Sequence, residues 1–154
     1  LQLLYSRAVL PFWDLQAGVR RDLDPGPDRD WAVISVHGLA PSFFEVEAEL
    51  FLAEGGQRSL RASAEYELFL TQRIVLTPEL ELTAFASDEP LRRIGSGFSE
   101  TEFSLRLRYE FRRELAPYIG LSSSWLHGDT ADLARQTGMR RRETELLIGL
   151  RAWF

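Results

Sequence analysis

Phe43-Phe44-Glu45-Val46-Glu47-Ala48-Glu49-Leu50 changes character at every step. Phe44, Val46, Ala48 and Leu50 form one set, and Glu45, Glu47 and Glu49 the other. Successive side chains of a β-strand point to opposite faces, so the two sets lie on opposite sides of a sheet. In a soluble antiparallel sheet the charged face meets water and the apolar face meets a core. Here the same alternation recurs almost end to end, with no helical pattern to supply a cover for the apolar side. The economical solution is a closed barrel with its apolar face in lipid and its polar face lining a lumen.

Working outward, the alternation predicts strands over 1–8, 13–20, 31–39, 43–52, 59–70, 74–85, 98–111, 116–125 and 143–154, with turns and loops between them. Asp22-Leu23-Asp24-Pro25-Gly26-Pro27 is turn chemistry, because Pro fixes one dihedral and Gly permits the other sign. Pro78 interrupts the sixth strand of this count and removes one ladder hydrogen bond. The connections alternate in length. Short ones fall near 9–12, 40–42, 71–73 and 112–115, and longer ones near 23–30, 53–58, 86–97 and 126–142. Outer-membrane barrels have short periplasmic turns and long external loops.

The expected fold is therefore all-β: an antiparallel up-and-down transmembrane β-barrel with about nine strands in this chain. An odd count places Leu1 on the external side. Bacterial barrels have even strand numbers, so the intact protein is expected to have ten, with one strand preceding Leu1. Residues 1–154 read as a single barrel domain. Trp13, Trp31, Phe43, Phe44, Tyr109, Phe111, Tyr118 and Trp125 fall near strand ends, where interfacial girdles belong. Trp153-Phe154 ends the last predicted strand on an aromatic residue, which both closes its apolar face and resembles an insertion signal of outer-membrane barrels.

Composition narrows the function. A net charge of -5 disfavours nucleic acid as a partner. All 18 basic residues are Arg, whose planar fork pairs with carboxylates in two-bond geometry. There is no Cys, hence neither a disulfide framework nor a thiolate metal site. The alternation turns Glu45, Glu47, Glu49, Glu65, Glu67, Glu79, Glu81, Glu102, Glu110, Glu143 and Glu145 inward, opposed by Arg20, Arg61, Arg106, Arg108 and Arg151. Carboxylates are in excess, and a narrow tube lined this way attracts cations. The plainer reading is an Arg–Glu network that fills a small barrel and holds its register. Carboxylate pairs two residues apart, such as Glu79 and Glu81, could suggest acid–base chemistry. Such pairs recur on several strands, which marks them as lining, and no enzyme activity is expected.

Several stretches carry a resemblance to a known family. They are Leu4-Tyr5-Ser6-Arg7-Ala8, Pro11-Phe12-Trp13-Asp14-Leu15-Gln16-Ala17-Gly18-Val19-Arg20, Gly38-Leu39-Ala40-Pro41, Leu70-Thr71-Gln72-Arg73, Ile94-Gly95-Ser96-Gly97, Arg112-Arg113-Glu114-Leu115-Ala116-Pro117-Tyr118-Ile119-Gly120 and Gly128-Asp129-Thr130-Ala131. With them the chain resembles the copper resistance protein B family along essentially its whole length. The resemblance implies a bacterial protein of the cell outer membrane, in contact with its lipid. It implies copper ions as what is bound, sequestered or passed, and periplasmic copper-resistance proteins as partners. Family members typically carry a Met- and His-rich segment ahead of the barrel, whereas this chain has one Met, Met139, and two His, His37 and His127.

Cu(I) favours sulfur ligands, and Cu(II) favours imidazole with oxygen. His37 shares a face with Trp31, Val33 and Ser35, opposite the more lipid-like Ala32, Ile34 and Val36, and so points into the lumen. Beside Glu45 or Glu47 it is a candidate Cu(II) ligand. As a single imidazole it also reads as an ordinary hydrogen-bonded lumen residue. The alternative function is a structural or passive-pore barrel with no metal site in these residues.

Overall fold

The computed structural model describes residues 2–22, 29–53, 55–88, 94–112, 115–136 and 138–152. Ten strands run in chain order: β1 (Gln2–Leu10), β2 (Trp13–Asp22), β3 (Arg29–Ala40), β4 (Phe44–Ala53), β5 (Arg58–Glu65), β6 (Leu68–Phe69), β7 (Ile74–Phe85), β8 (Gly97–Tyr109), β9 (Leu115–Leu126) and β10 (Arg142–Ala152). All pair antiparallel in one sheet, β1-β2-β3-β4-β5-β7-β8-β9-β10, with β6 also on β7. Apart from β6, which continues the line of β5, each strand lies beside the one before it, as expected of an up-and-down meander. Because β5 and β6 pair successively with the same neighbour, the sheet has nine staves. β1 and β10 are its two edges.

The break between β5 and β6 has a local cause in Pro78. Tyr66 donates its backbone N–H to the Pro78 carbonyl at 3.1 Å. In an antiparallel ladder that residue pair exchanges two bonds. Pro has no N–H, so the second bond cannot form. The single strand expected over 59–70 is split at Tyr66-Glu67, while β7 itself stays continuous.

Curvature shows which face is inside. Gln2 on β1 donates to Glu49 on β4 at 3.4 Å. Three strand spacings in a flat sheet would separate those strands by about 14 Å. The sheet is therefore curled with its glutamate face concave. The outer face carries Leu15, Val19, Ile34, Val36, Leu50, Leu80, Leu82, Leu107 and Ile148, all exposed. Within the concavity Trp31, Val33 and Phe51 form a buried apolar cluster against which Leu4 and Ala53 pack. Trp31 and Phe51 meet edge to face at 6.3 Å, and Arg20 and Arg61 each place a guanidinium over Phe51 at 5.4 and 5.6 Å.

Three expectations need correction. Trp31 is not a girdle residue, since it shares the inner face with Val33 and Ser35. Tyr118 is likewise inside, under Arg106 at 5.8 Å and over Gly149, where an added Cβ would sit 2.3 Å from the ring. The longest connection is not all loop, for it contains a helix, α1 (Gly128–Gln136). Asp129 in its first turn and Arg135 in its last suit the helix dipole. Gly138 follows at φ 74°, the left-handed turn that commonly ends a helix. The buried side of α1 is only Thr130, Ala131 and Ala134. That face is too short and too weakly apolar to announce a helix in sequence. The terminal Trp153-Phe154 and the turn at 23–28 lie outside the described residues.

Connections sort onto two rims. β1 and β2, β3 and β4, β6 and β7, and β8 and β9 are consecutive across short connections at one end, and β2 and β3, β4 and β5, β7 and β8, and β9 and β10 across longer ones at the other. Phe12, Ser42 and Phe43 on the short rim hold φ of 68°, 69° and 65°, an uncommon region for residues other than Gly. α1 belongs to the long rim.

Candidate functional site

The register of the sheet decides what each inner glutamate faces. Glu45 on β4 stands directly opposite Glu65 on β5, and Glu65 directly opposite Glu79 on β7. Three carboxylates thus line up across three adjacent strands. One step toward the long rim, Glu81 opposes Glu102. Farther round on the same inner face, Asp14 opposes His37 and His37 opposes Glu47. Like charges directly opposite destabilise a sheet by roughly 0.2–1 kcal/mol a pair. Their recurrence sets this face apart from a neutral lining.

The arginines neutralise part of the set. Arg61 lies between Glu49 at 3.8 Å and Glu81 at 3.2 Å, its buried Nε close to Glu81 but without hydrogen-bond alignment. Arg106 reaches Glu79 at 3.5 Å, and Ser104 donates to the same carboxylate at 3.2 Å. Arg108 ties Glu67 at 3.0 Å and Glu110 at 3.3 Å near the short rim. Ser122 donates to Glu102. Glu45, Glu47 and Glu65 have no ion pair among the described residues. Glu143 and Glu145 face Ser124 and Ser122, and with Glu100 and Glu102 they line a polar cavity of about 140 Å³. Arg20 packs on Phe51. Arg151 faces Ala116 near the end of β10.

Every inner residue read from the alternation thus occupies the concave face or its rim. Two charged residues join them. Asp14 is inner through its pairing with His37. Glu100, two residues before Glu102, keeps the alternation of β8 and pairs with Thr83. Just beyond it the ladder is irregular, because Ala84 pairs with Phe98, leaving Ser99 as an extra residue. Such a bulge puts Ser99 and Glu100 on the same side. No local pattern in the sequence announces it.

At the long rim Glu81 and Glu100 enter a second cavity, of about 610 Å³, with Arg61 on its floor and Phe85, Leu126, Ala134 and Met139 on its walls. α1 covers part of it. His127 does not line it. That ring stacks on Phe98 at 4.9 Å and has Thr101 Oγ1 3.0 Å from Nε2. His37, Glu45 and Glu47, the candidate copper ligands, share the inner face, but Glu45 opposes Glu65 rather than His37. Among the described residues no three His, Cys, Asp or Glu side chains come close enough to hold one metal ion.

A curled antiparallel meander with short turns on one rim, long connections on the other and a charged interior defines a porin-like barrel protein. A solved NanC porin has the same fold at TM-score 0.66 and 13% identity, over 99% of this chain and 78% of that one. The family described as copper resistance protein B precursor (CopB) matches residues 1–154, and the chain belongs to that family. Among curated relatives, a copper resistance protein B of Escherichia coli is 45% identical over 153 residues. A copper resistance protein B homolog of Pseudomonas syringae pv. tomato is 41% identical over 154 residues. The match takes in 99% and 100% of this chain but 52% of each relative. The chain thus spans about half the length of the curated relatives it matches.

Proposed function

We propose that these residues form the membrane-spanning barrel of a bacterial outer-membrane copper-resistance protein, whose acidic lumen draws in copper cations and passes or loosely retains them. The observation that carries the reading is the Glu45–Glu65–Glu79 row. Carboxylates opposed to carboxylates in a narrow passage raise local cation concentration. The outer face of leucine, isoleucine and valine suits lipid, and the alternating short and long connections suit periplasm and exterior. Membership of a copper-resistance family supports copper as the cargo. A scattered, mostly hard-oxygen donor set favours passage over chelation, because copper held tightly prefers sulfur or several imidazoles. The role is a non-enzymatic one, and periplasmic copper-resistance proteins are the natural partners on the short-turn side.

The test is flux. Vesicles containing the full-length protein are loaded with a copper-sensitive dye, and Cu(II) entry is compared with entry of a small neutral solute. Replacing Glu45, Glu65 and Glu79 together with Gln lowers the copper-to-solute ratio severalfold; an unchanged ratio overturns the reading.

A second reading rests on the ion pairs. Arg61 joining Glu49 to Glu81, and Arg108 joining Glu67 to Glu110, are what a filled structural barrel needs. In that case the barrel is a scaffold or passive pore, and copper is bound elsewhere in the longer protein. Copper titration of the full-length protein with Glu45, Glu65 and Glu79 together replaced by Gln separates the two, because a scaffold binds as much copper as the parent.

A further inference from the structure

The outward side of β8, β9 and β10 carries no carboxylate. Glu100, Glu102, Glu143 and Glu145, the acids of these strands, all turn toward the inner polar cavity. Moving from the short rim toward the long one, outward pairs of β9 and β10 are Pro117 with Leu150, Ile119 with Ile148 and Leu121 with Leu146. All three steps are apolar, and polarity begins at the next. Ser123 faces Thr144, their hydroxyl oxygens 2.9 Å apart, and the pair after that is Trp125 with Arg142. The Arg142 guanidinium lies over the Trp125 ring at 5.3 Å. An arginine on an aromatic ring, just past the edge of an apolar band, stands at the level of lipid headgroups. Arg140 and Arg141 precede it, all three are exposed, and none has an ion pair among the described residues.

The apolar surface below this row is grooved. One hollow of about 320 Å³ opens between Ile74, Tyr109 and Pro117, and a second of about 270 Å³ between Leu76, Leu121 and Leu146. Leu107 and Ile119 line both and face each other across β8 and β9. The two hollows therefore form one channel along the outer face. It ends at Leu121 and Leu146, one outward step short of Ser123 and Thr144.

We propose that the groove and the arginines beyond it are one binding site for an anionic, phosphate-bearing lipid of the leaflet on the long-rim side. An acyl chain lies along Leu107 and Ile119, and Arg142 takes the headgroup phosphate, with Arg140 and Arg141 adding positive charge. A guanidinium fork bonds two phosphate oxygens at once, and stacking on Trp125 holds the fork in place before the lipid arrives. Free phosphate has no use for the groove, and an uncharged lipid has none for the arginines. A molecule with both parts uses both. The inference rests on the membrane reading of the outer face and is independent of what passes the lumen.

The test is lipid retention by the full-length protein. Insertion into vesicles is scored first by heat-modifiability. Protein that does not insert overturns the membrane reading and this proposal together, whereas inserted protein that fails the following arms overturns this proposal alone. Extracted protein is offered phosphatidic acid or chain-matched diacylglycerol, and bound lipid is read by native mass spectrometry. Phosphatidic acid is expected to stay bound through a detergent wash that removes diacylglycerol. Arg142→Gln lowers its retention roughly fivefold, the effect of one cation near a charged membrane surface. Ile119→Trp, which fills the groove and keeps every charge, lowers it as well. So does the double change Arg140→Gln with Arg141→Gln, which lies outside every strand and keeps folding out of question. Retention at the parent level in any of the three overturns the proposal. Equal retention of diacylglycerol also overturns it, as does displacement of the lipid by inorganic phosphate, which would mark a site for free anions.

Discussion

Gly95 donates its backbone N–H to Thr130 Oγ1 at 2.9 Å, across 35 residues of sequence. This bond fastens α1 to the connection before β8. Thr130 also donates back to the Gly95 carbonyl at 3.3 Å, and Ser99 donates to that same carbonyl at 2.9 Å. Gly95 has no room for a side chain, because a Cβ there would sit 2.4 Å from Asp129 Cβ and 2.5 Å from Thr130 N. The helix is docked by backbone proximity and one hydroxyl, more than by apolar packing.

Removing that hydroxyl loosens the roof of the larger cavity. Thr130→Val leaves the buried Gly95 N–H without its partner, while the Gly95 carbonyl keeps Ser99, a loss of about 1–3 kcal/mol confined to the local docking of α1. Amide exchange over 128–136 should accelerate while β2 to β4 keep their protection. Gly95→Ala should do the same by steric displacement.

Glu65 faces a carboxylate on both sides and has no ion pair among the described residues. Glu65→Gln removes two like-charge oppositions and should raise stability by up to about 1 kcal/mol at neutral pH and low salt. Divalent cations should stabilise the parent protein more than the variant. Urea unfolding with and without added cation reads both effects, and an equal cation response in the two proteins would remove Glu65 from the cation-attracting row.

Pro78→Thr restores the N–H that the Tyr66 carbonyl lacks. One added ladder bond should contribute about 0.5–1.5 kcal/mol, seen as a higher urea midpoint. It should also join β5 and β6 into one strand, so that exchange at Tyr66 and Glu67 slows.

The Asp88 carboxylate accepts the Ser96 N–H at 2.6 Å, and this backbone bond, helped by the Ser96 side chain, holds its pKa below the ordinary value of 3.8. A carboxyl depressed on folding contributes order that is complete above its ordinary value and is lost as pH falls through the lower folded value. Protection of the Ser96 amide should therefore hold down to about pH 4 and vanish below the folded pKa. In Asp88→Asn it should show no such acid step. The group is fully exposed, so the effect belongs to this connection and not to the barrel as a whole.

Much of this architecture was legible in the chain itself. The alternation in 43–50 and its repeats determined the strands, their inner and outer faces, and the glutamate excess inside, because a period of two is a local property of extended backbone. His37 could be assigned to the lumen by comparing its two faces, Trp31, Val33 and Ser35 against Ala32, Ile34 and Val36. Connection lengths separated the two rims. Register could not be read this way, because it depends on which residues end opposite one another after every turn has closed. Only the folded sheet opposed Glu65 to Glu45 and Glu79, matched Glu49 with Arg61, and set His37 between Asp14 and Glu47. Only it turned Ser99 inward through the bulge beside Glu100, drew Trp31 into an interior cluster with Phe51, and docked a nine-residue helix whose contact residue Gly95 lies far away in sequence. Those are non-local contacts, chosen by packing and hydrogen bonding between distant segments, and periodicity carries no information about them.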